Sequence, residues 1–271
     1  MSTETPSPTD ELLFTTADGI ARITLNRPQA RNALTFAMYE GLIGLCERIE
    51  ADAAVKAVIV TGAGEKAFAA GTDIAQFRGF RTAEDALGYE RFMDRVLGAL
   101  ERLRVPTVAA IAGACTGGGA AIAAACDLRL ATRDARFGFP IARTLGNCLS
   151  QGNLKRLSNL IGPARVRDIL FTARLVNGDE ALSIGLVTEL VADAAALAER
   201  ATALATTLAG HAPLTLRATK EGLRRLAETE ETGEGDARSG DDLILSCYMS
   251  ADFREGMEAF LAKRPPNWTG R

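Results

Sequence analysis

Two glycine-rich turns decide the fold that this sequence can form: Phe68-Ala69-Ala70-Gly71-Thr72-Asp73 and Gly113-Ala114-Cys115-Thr116-Gly117-Gly118-Gly119. The first follows the strand-like residues 56–60 and the second follows the strand-like residues 108–112, and each opens a helix-like stretch. Glycine lets backbone N–H groups face outward, and a helix N-terminus adds partial positive charge, so such turns favour anions. Two turns brought together predict two N–H donors aimed at one oxygen atom, which is an oxyanion hole.

Two alternatives compete with this interpretation. Glycine-rich strand-to-helix turns also occur in α/β proteins because they permit tight packing, and spacing alone leaves that structural alternative open. A dinucleotide site is a poorer match. The second turn lacks the G-x-G-x-x-G register, and no acidic residue follows it at the expected distance of about twenty residues.

The composition excludes several classes of function. The 271 residues suffice for one large domain, or for a core with a smaller appendage, and 47% hydrophobic with 24% charged residues is ordinary for a globular protein. The net charge of −3 gives no electrostatic case for binding nucleic acid or an anionic membrane. No apolar run is long enough to span a membrane. Residues 1–10 lack the apolar core of a signal peptide, and we expect them to form a flexible arm.

Cysteine and histidine usage argues against a metal site and against a hydrolase triad. The five cysteines are odd in number, scattered and without C-x-x-C spacing, which indicates a reduced, cytoplasmic setting and no zinc. His211 is the only histidine, so a Ser-His-Asp triad would depend on it. Because no Gly-x-Ser-x-Gly elbow accompanies it, we expect His211 to be a surface residue.

Hydrophobic periodicity predicts a β/α core followed by helices. Asp18-Gly19 lies between two strand-like runs, residues 12–17 and 20–25, and predicts a hairpin. Thr82, with Asp85 three residues later, predicts a capped helix that ends before Pro106. Helices are predicted at 35–51, 117–125, 153–161, 163–171, 179–184, 194–209, 213–227 and 240–261, and further strands at 107–112, 128–131, 136–139 and 186–191. The acidic residues 228–236 predict an exposed loop.

Taken in order, these residues resemble the crotonase superfamily, also called the enoyl-CoA hydratase/isomerase family, from about Leu12 to Trp268. The matching motifs are Leu25-Asn26-Arg27-Pro28, Arg31-Asn32-Ala33-Leu34, Lys66 to Ile74, Gly113 to Gly119, Cys126-Asp127, Phe137-Gly138, Ala181 to Val187, Thr219-Lys220-Glu221, and Arg254 to Arg264. The resemblance implies an α/β fold, a spiral of ββα units over residues 11–192. It also implies a C-terminal helical trimerisation region over residues 193–271, giving homotrimers or dimers of trimers.

The resemblance further implies an acyl-CoA substrate, with coenzyme A as the carrier and no tightly bound cofactor. The thioester oxygen would accept hydrogen bonds from the backbone N–H groups of Thr72 and Gly118. Asp73 is expected to cap the following helix. The residues implied to flank coenzyme A are Arg27, Arg31, Ala33, Lys66 and Ala70, and those implied to reach a neighbouring subunit's nucleotide are Phe260 and Lys263. Helix packing and a solvated charge are the structural alternatives for the last two.

The sequence departs from the hydratase pattern at both catalytic acids. Hydratases of the family use two glutamates, and the corresponding positions here are Ala121 and Ile141. Neither side chain can move a proton or orient water, and such assistance is worth a factor of about 100 to 10,000 per group. Isomerase-like or atypical chemistry is therefore favoured over ordinary two-glutamate hydration. The loop over residues 140–148 is also about one residue longer than usual.

A relocated acid or base would still permit enolate chemistry. Glu90 is a candidate acid or base, and Arg143 is a candidate to hold a substrate carboxylate through two hydrogen bonds. Others near them are Asp85, Tyr89, Asn147, Cys148 and Ser150. The sequence thus predicts an acyl-CoA enzyme with isomerase-like or atypical lyase/hydratase chemistry. A catalytically silent acyl-CoA-binding or assembly protein is the alternative from another class, and a peptidase of the related ClpP-like fold is disfavoured by the missing triad.

Overall fold

The strands of the computed structural model, which describes residues 10–232 and 241–271, form two sheets. The strands are β1 Leu12–Ala17, β2 Ile20–Leu25, β3 Ala57–Gly62, β4 Ala67–Ala69, β5 Thr107–Ile111, β6 Ala114–Thr116, β7 Leu128–Thr132, β8 Arg136–Gly138, β9 Val176–Asn177 and β10 Glu189–Val191. The larger sheet has the order β1-β2-β3-β5-β7-β10, with β1 antiparallel to β2 and the remaining pairs parallel. The smaller sheet has the order β4-β6-β8-β9.

The predicted hairpin is confirmed. Asp18 and Gly19 both have positive φ angles, 51° and 76°, as a two-residue hairpin turn requires. The turn sets the register that pairs Leu12 with Leu25. Ala21, Ile23 and Leu25 then face the core while the residues between them are half-buried.

The chain steps from the large sheet to the small one before each glycine turn, which the sequence did not predict. Strand β3 is followed by β4, β5 by β6 and β7 by β8, so the two turns leave the small sheet and not the large one. Three-residue strands are too short to reveal a period of two, and β6 lies inside the second turn itself. The helix-like stretch predicted after the first turn is a short 3-10 helix, Ile74–Gly79.

The helices cover both faces of the large sheet. They are α1 Phe36–Ala51, α2 Ala83–Glu101, α3 Gly118–Ala125, α4 Gln151–Ile161, α5 Pro163–Thr172, α6 Gly178–Ser183, α7 Ala194–Ala209, α8 Pro213–Thr232, α9 Asp241–Tyr248 and α10 Ala251–Leu261. Helices α1, α2 and α3 enclose the main core, and α7 closes a second core on the opposite face with Leu197, Ala201 and Ala205. The Thr82–Asp85 capping box at the start of α2 is confirmed.

Three predictions near the C-terminus were wrong in detail. Helix α8 continues to Thr232, so residues 228–232 are helical and not a loop, while residues 233–236 of that stretch lie outside the described residues. The helix predicted over 240–261 is two helices, because the Ser250 side chain accepts a hydrogen bond from Phe253 N and starts α10 afresh. The strand predicted over 186–191 begins only at Glu189.

Two further expectations concern exposure and order. His211 is exposed, as predicted. The arm expected at residues 1–10 falls almost wholly on residues 1–9, which are outside the described part of the chain. Within residues 10–232 and 241–271, none of the helices combines the length and the apolar character needed to cross a bilayer.

Candidate active site

The two glycine turns meet face to face. Gly71 and Gly117 have φ angles of 106° and 52°, a region that side-chain-bearing residues rarely adopt. A Cβ atom on Gly117 would lie 3.4 Å from the Cα of Gly71, and one on Gly71 would lie 3.5 Å from the carbonyl oxygen of Thr116. The turns are therefore in direct backbone contact.

The N–H group of Thr72 points away from the neighbouring chain segment. Leu34 N donates a 2.8 Å hydrogen bond to the carbonyl oxygen of Gly71. In a trans peptide the N–H lies opposite to the C=O, so the Thr72 N–H is directed to the side away from Leu34. Thr72 lines a cavity there, and among the described residues no backbone acceptor takes its N–H.

The same geometric argument gives the direction of the Gly118 N–H group. Ala121 N donates a 2.9 Å bond to the carbonyl oxygen of Gly117, which therefore points along α3. The Gly118 N–H, in the same peptide unit, points out of the helix N-terminus, where the macrodipole adds positive potential. Gly118 lines the same cavity as Thr72, a space of about 210 Å³. Within the described part of the chain, two N–H donors without a backbone acceptor thus face one cavity.

Apolar side chains form most of the cavity wall, and they include both positions where the resemblance would place a catalytic glutamate. Ala121 and Ile141 both line the cavity. Three aromatic residues also line the cavity. Phe77 and Tyr89 pack edge to face, with ring centroids 5.0 Å apart, and Phe139 is fully buried. The site therefore presents hydrocarbon at both of these positions.

Glu90 is the only carboxylate among the described residues that line this cavity. It lies on α2, directly after Tyr89, and is half-buried. Burial and the nearby negative charge of Asp94 raise the pKa of the Glu90 carboxyl above its ordinary value. A carboxyl group in this state accepts and returns a proton at a smaller energetic cost than a fully solvated one.

Only some of the candidate site residues on the longer loop, residues 140–148, line the cavity. Asn147 and Cys148 line it, whereas Arg143 is exposed and is not among the described residues around it. Arg143 ends a single 3-10 turn, Pro140–Ala142, and its N–H donates to the carbonyl oxygen of Pro140. Asp85 and Ser150 are engaged as helix caps. The loop therefore supplies polar groups at the cavity rim and its arginine faces solvent.

The residues expected to flank coenzyme A have different surroundings. The Arg27 guanidinium is held by the carbonyl oxygen of Ala33 at 2.6 Å and by Asp73 Oδ2 at 3.1 Å. Arg31 and Lys66 are exposed cations. Ala70 lines the cavity, while Phe260 is 84% exposed at the end of α10 and Lys263 is exposed just beyond it. Asp73 also caps the 3-10 helix, as predicted, by accepting from Ala75 N.

Asn32 is a positioning residue for which sequence reasoning gave no role. Its side chain is fully buried and donates to the carbonyl oxygens of Ala63 at 3.0 Å and Ala67 at 2.7 Å, while its Oδ1 accepts from Arg27 N at 2.9 Å. It thereby ties the segment before α1 to the loop before the first glycine turn. Its position within a matching motif was a signal, but its partners are distant in sequence.

Known proteins resemble this chain over nearly its whole length. The enoyl-CoA hydratase/isomerase family model matches residues 15–271. A short-chain-enoyl-CoA hydratase of Clostridium acetobutylicum is 36% identical over 245 residues, covering 90% of this chain and 92% of the relative. A crotonyl-CoA hydratase of Syntrophomonas wolfei is 32% identical, covering 97% of this chain and 99% of the relative.

Solved structures agree as well. An enoyl-CoA hydratase/carnithine racemase from Magnetospirillum magneticum superposes with a TM-score of 0.89 at 36% identity, covering 97% of both chains. An enoyl-CoA hydratase from Bacillus anthracis superposes with a TM-score of 0.85 at 31% identity, covering 97% of this chain and all of that chain. Both agree with an α/β fold of mixed sheets and C-terminal helices. This chain belongs to the enoyl-CoA hydratase/isomerase family and has its crotonase fold.

Proposed function

We propose that this protein is an acyl-CoA enzyme that binds a thioester oxygen between the N–H groups of Thr72 and Gly118 and stabilises the enolate formed there. One observation carries the proposal: among the residues that the structure describes, no backbone acceptor takes the N–H group of Thr72 or Gly118, and both residues line the same cavity. Membership of the family supports a thioester as the ligand, as do relatives named for short-chain-enoyl-CoA and crotonyl-CoA. Fixed donors in a site with apolar walls stabilise developing negative charge more than water does.

Glu90 is the proposed acid and base. Hydrogen bonds to the thioester oxygen draw electrons from the acyl chain and make its C–H bonds more acidic. Glu90 can take a proton from one carbon and return it to another, which is isomerase-like chemistry. An atypical lyase or hydratase reaction through the same enolate is the other form of the proposal. Two-glutamate hydration does not fit, because Ala121 and Ile141 provide no proton transfer.

The remaining parts of the site have supporting roles in the proposal. Arg31 and Lys66 are exposed cations beside the cavity-lining segments and would meet the coenzyme A phosphates. Arg27 holds Ala33 and Asp73 in place. Residues 11–192 would carry the site, and residues 193–271 would assemble trimers, singly or paired, in the cytoplasm. Phe260 and Lys263 would then meet a neighbouring subunit's nucleotide. The proposal includes no tightly bound cofactor and no role for Arg143 at the reacting carbon.

A catalytically silent acyl-CoA-binding or assembly protein is the second candidate. Hydrocarbon at Ala121 and Ile141 favours it. The half-buried Glu90, raised in pKa inside the cavity, favours an enzyme. The two readings differ in whether a bound acyl group exchanges carbon-bound hydrogen with solvent.

Proton NMR of crotonyl-CoA in D2O separates them. We expect deuterium to enter the acyl chain without formation of 3-hydroxybutyryl-CoA, and Glu90→Gln to abolish the exchange. The exposed Glu199→Gln is the matched control and should behave like the wild type. Rapid formation of 3-hydroxybutyryl-CoA would overturn the exclusion of hydration. Binding of crotonyl-CoA and a panel of longer acyl-CoA thioesters without any exchange would favour the silent binder.

A further inference from the structure

The hydroxyl group of Tyr39 lies between the two residues of the proposed oxyanion hole. Tyr39 is fully buried on α1, and its Oη is 2.8 Å from Thr72 Oγ1. A Cβ atom on Gly118 would lie only 2.1 Å from the same Oη and 3.1 Å from Thr72 Oγ1. One oxygen atom therefore touches Thr72 by a hydrogen bond and Gly118 by direct packing.

The surroundings of Tyr39 fix the direction of its hydrogen bond. Among the described residues, Thr72 Oγ1 is its hydroxyl's only partner, and a buried O–H group without an acceptor is costly. Tyr39 therefore donates to Thr72. Burial raises the pKa of the Tyr39 phenol far above neutrality, so the donor keeps its proton. Thr72 Oγ1 is in turn 3.1 Å from the hydroxyl of Tyr89, at the cavity wall.

The ring of Tyr39 is itself held firmly. Helix α1 begins at a Thr35 cap that accepts a hydrogen bond from Met38 N, one residue before Tyr39. The Phe92 ring of α2 meets the Tyr39 ring edge to face, with centroids 6.1 Å apart and planes at 89°. The hydroxyl is thus presented by a packed helix and not by a mobile loop.

We propose that Tyr39 is a positioning residue of the oxyanion hole, whose hydroxyl sets the separation of the Thr72 and Gly118 N–H groups. The inference rests on the function proposed above. Tyr39 is not among the described residues that line the cavity, so it acts through the two donors and not on the substrate. A displacement of about 1 Å in such a site can cost about 100-fold in rate, so a spacer between the donors matters.

Infrared spectroscopy of bound crotonyl-CoA, labelled with 13C at the thioester carbonyl, tests the inference. Hydrogen bonds to this oxygen lower the C=O stretching frequency. We expect a clear downshift in the wild type, a smaller one in Tyr39→Phe, and a 10- to 100-fold fall in the deuterium-exchange rate of that variant at saturating substrate, with KM changed by less than about threefold. Tyr248→Phe, an exposed tyrosine on α9, should match the wild type.

The outcomes separate the two proposals. A downshift and an exchange rate that are the same in the wild type and in Tyr39→Phe would overturn the role of Tyr39 while leaving the oxyanion hole intact. A wild-type spectrum without a downshift would overturn the oxyanion hole and, with it, the role given to Tyr39.

A second measurement depends on packing alone. In Gly118→Ala the new methyl group would meet Tyr39 Oη at 2.1 Å, whereas after Tyr39→Phe its nearest contact with that ring would be Cζ at 3.4 Å. The double variant should therefore have a higher Tm than Gly118→Ala alone. A double variant no more stable than Gly118→Ala would contradict the role of the Tyr39 hydroxyl as a spacer, because something else would then limit how closely Gly118 approaches Tyr39.

Discussion

The carbonyl oxygen of Lys66 lies where a side chain on Gly113 would begin, only 2.2 Å from the position of a Cβ atom. The same oxygen accepts a 3.0 Å hydrogen bond from Ala114 N. The loop that leads to the first glycine turn is thus joined to the second turn several residues before Gly71 meets Gly117. This junction fixes where the second turn lies against the loop before the first.

Gly113→Ala should therefore destabilise the protein strongly. The φ angle of 60° already disfavours alanine by about 1 kcal/mol, and the clash with the Lys66 backbone adds to this cost. We therefore expect the free energy of unfolding, measured with urea, to fall by more than about 3 kcal/mol. Gly185→Ala is the matched control, since Gly185 has a φ of 77° and open space around it, and should lose only about 1 kcal/mol. Equal losses of unfolding free energy in Gly113→Ala and Gly185→Ala would contradict the close contact between Gly113 and the Lys66 carbonyl.

Asn32→Ala should loosen the side of the site that we propose binds coenzyme A. The change removes the side-chain partner of three buried or part-buried backbone groups, and we expect a loss of about 3 kcal/mol in the free energy of unfolding together with a raised KM for acyl-CoA. Asn159→Ala, at an exposed position on α4, should stay within about 0.5 kcal/mol of the wild type. An unchanged KM in a folded Asn32→Ala would argue against the coupling of this loop to substrate binding.

Lys220→Met should weaken the attachment of α8 to the core. Lys220 Nζ is 2.7 Å from Asp127 Oδ2 and 3.2 Å from the carbonyl oxygen of Val105, and the lysine side chain is only 13% exposed. Losing these charge-assisted bonds should cost about 2 kcal/mol, since Asp127 keeps its bonds from Thr107. Hydrogen exchange in α8 should quicken, while the exposed Lys56→Met should leave it unaltered. Unchanged exchange would mean that other contacts fix α8.

Glu90→Gln should stabilise the protein at pH 7. The pKa of Glu90 in the folded state is raised above its ordinary value of 4.5, so ionisation above that range opposes folding, and below about pH 4 the group is protonated in both states. The gain should be below about 1 kcal/mol, because the side chain is only half-buried, and should vanish near pH 4. Urea midpoints at the two pH values check this. A variant less stable than the wild type at pH 7 would contradict it.

The sequence predicted the elements whose patterns are local. The hairpin around Asp18-Gly19, the cap at Thr82 and the buried glycine- and alanine-rich helix α3 each follow from a few adjacent residues. Strands β4 and β6 escaped prediction because three residues do not reveal a period, and they pair only with distant partners. The break at Ser250 escaped because an apolar pattern continues across it.

The site was predictable as far as backbone geometry is encoded by glycine. Gly71 and Gly117 have φ angles that glycine tolerates, and this is why the turns could be found in sequence. The roles of Asn32 and Tyr39 depend on contacts with residues more than thirty positions away, which a single sequence does not display. The exposure of Arg143 depends on the path of a lengthened loop, and no local pattern fixes that path.

A crystal structure of the protein with a bound acyl-CoA thioester would test directly whether Thr72 and Gly118 form the oxyanion hole. We expect the thioester oxygen within about 3.2 Å of both Thr72 N and Gly118 N, with the acyl chain against Ala121 and Ile141 and the Glu90 carboxylate within about 4 Å of a reacting carbon. A thioester oxygen hydrogen-bonded elsewhere, with the two N–H groups facing solvent, would contradict it.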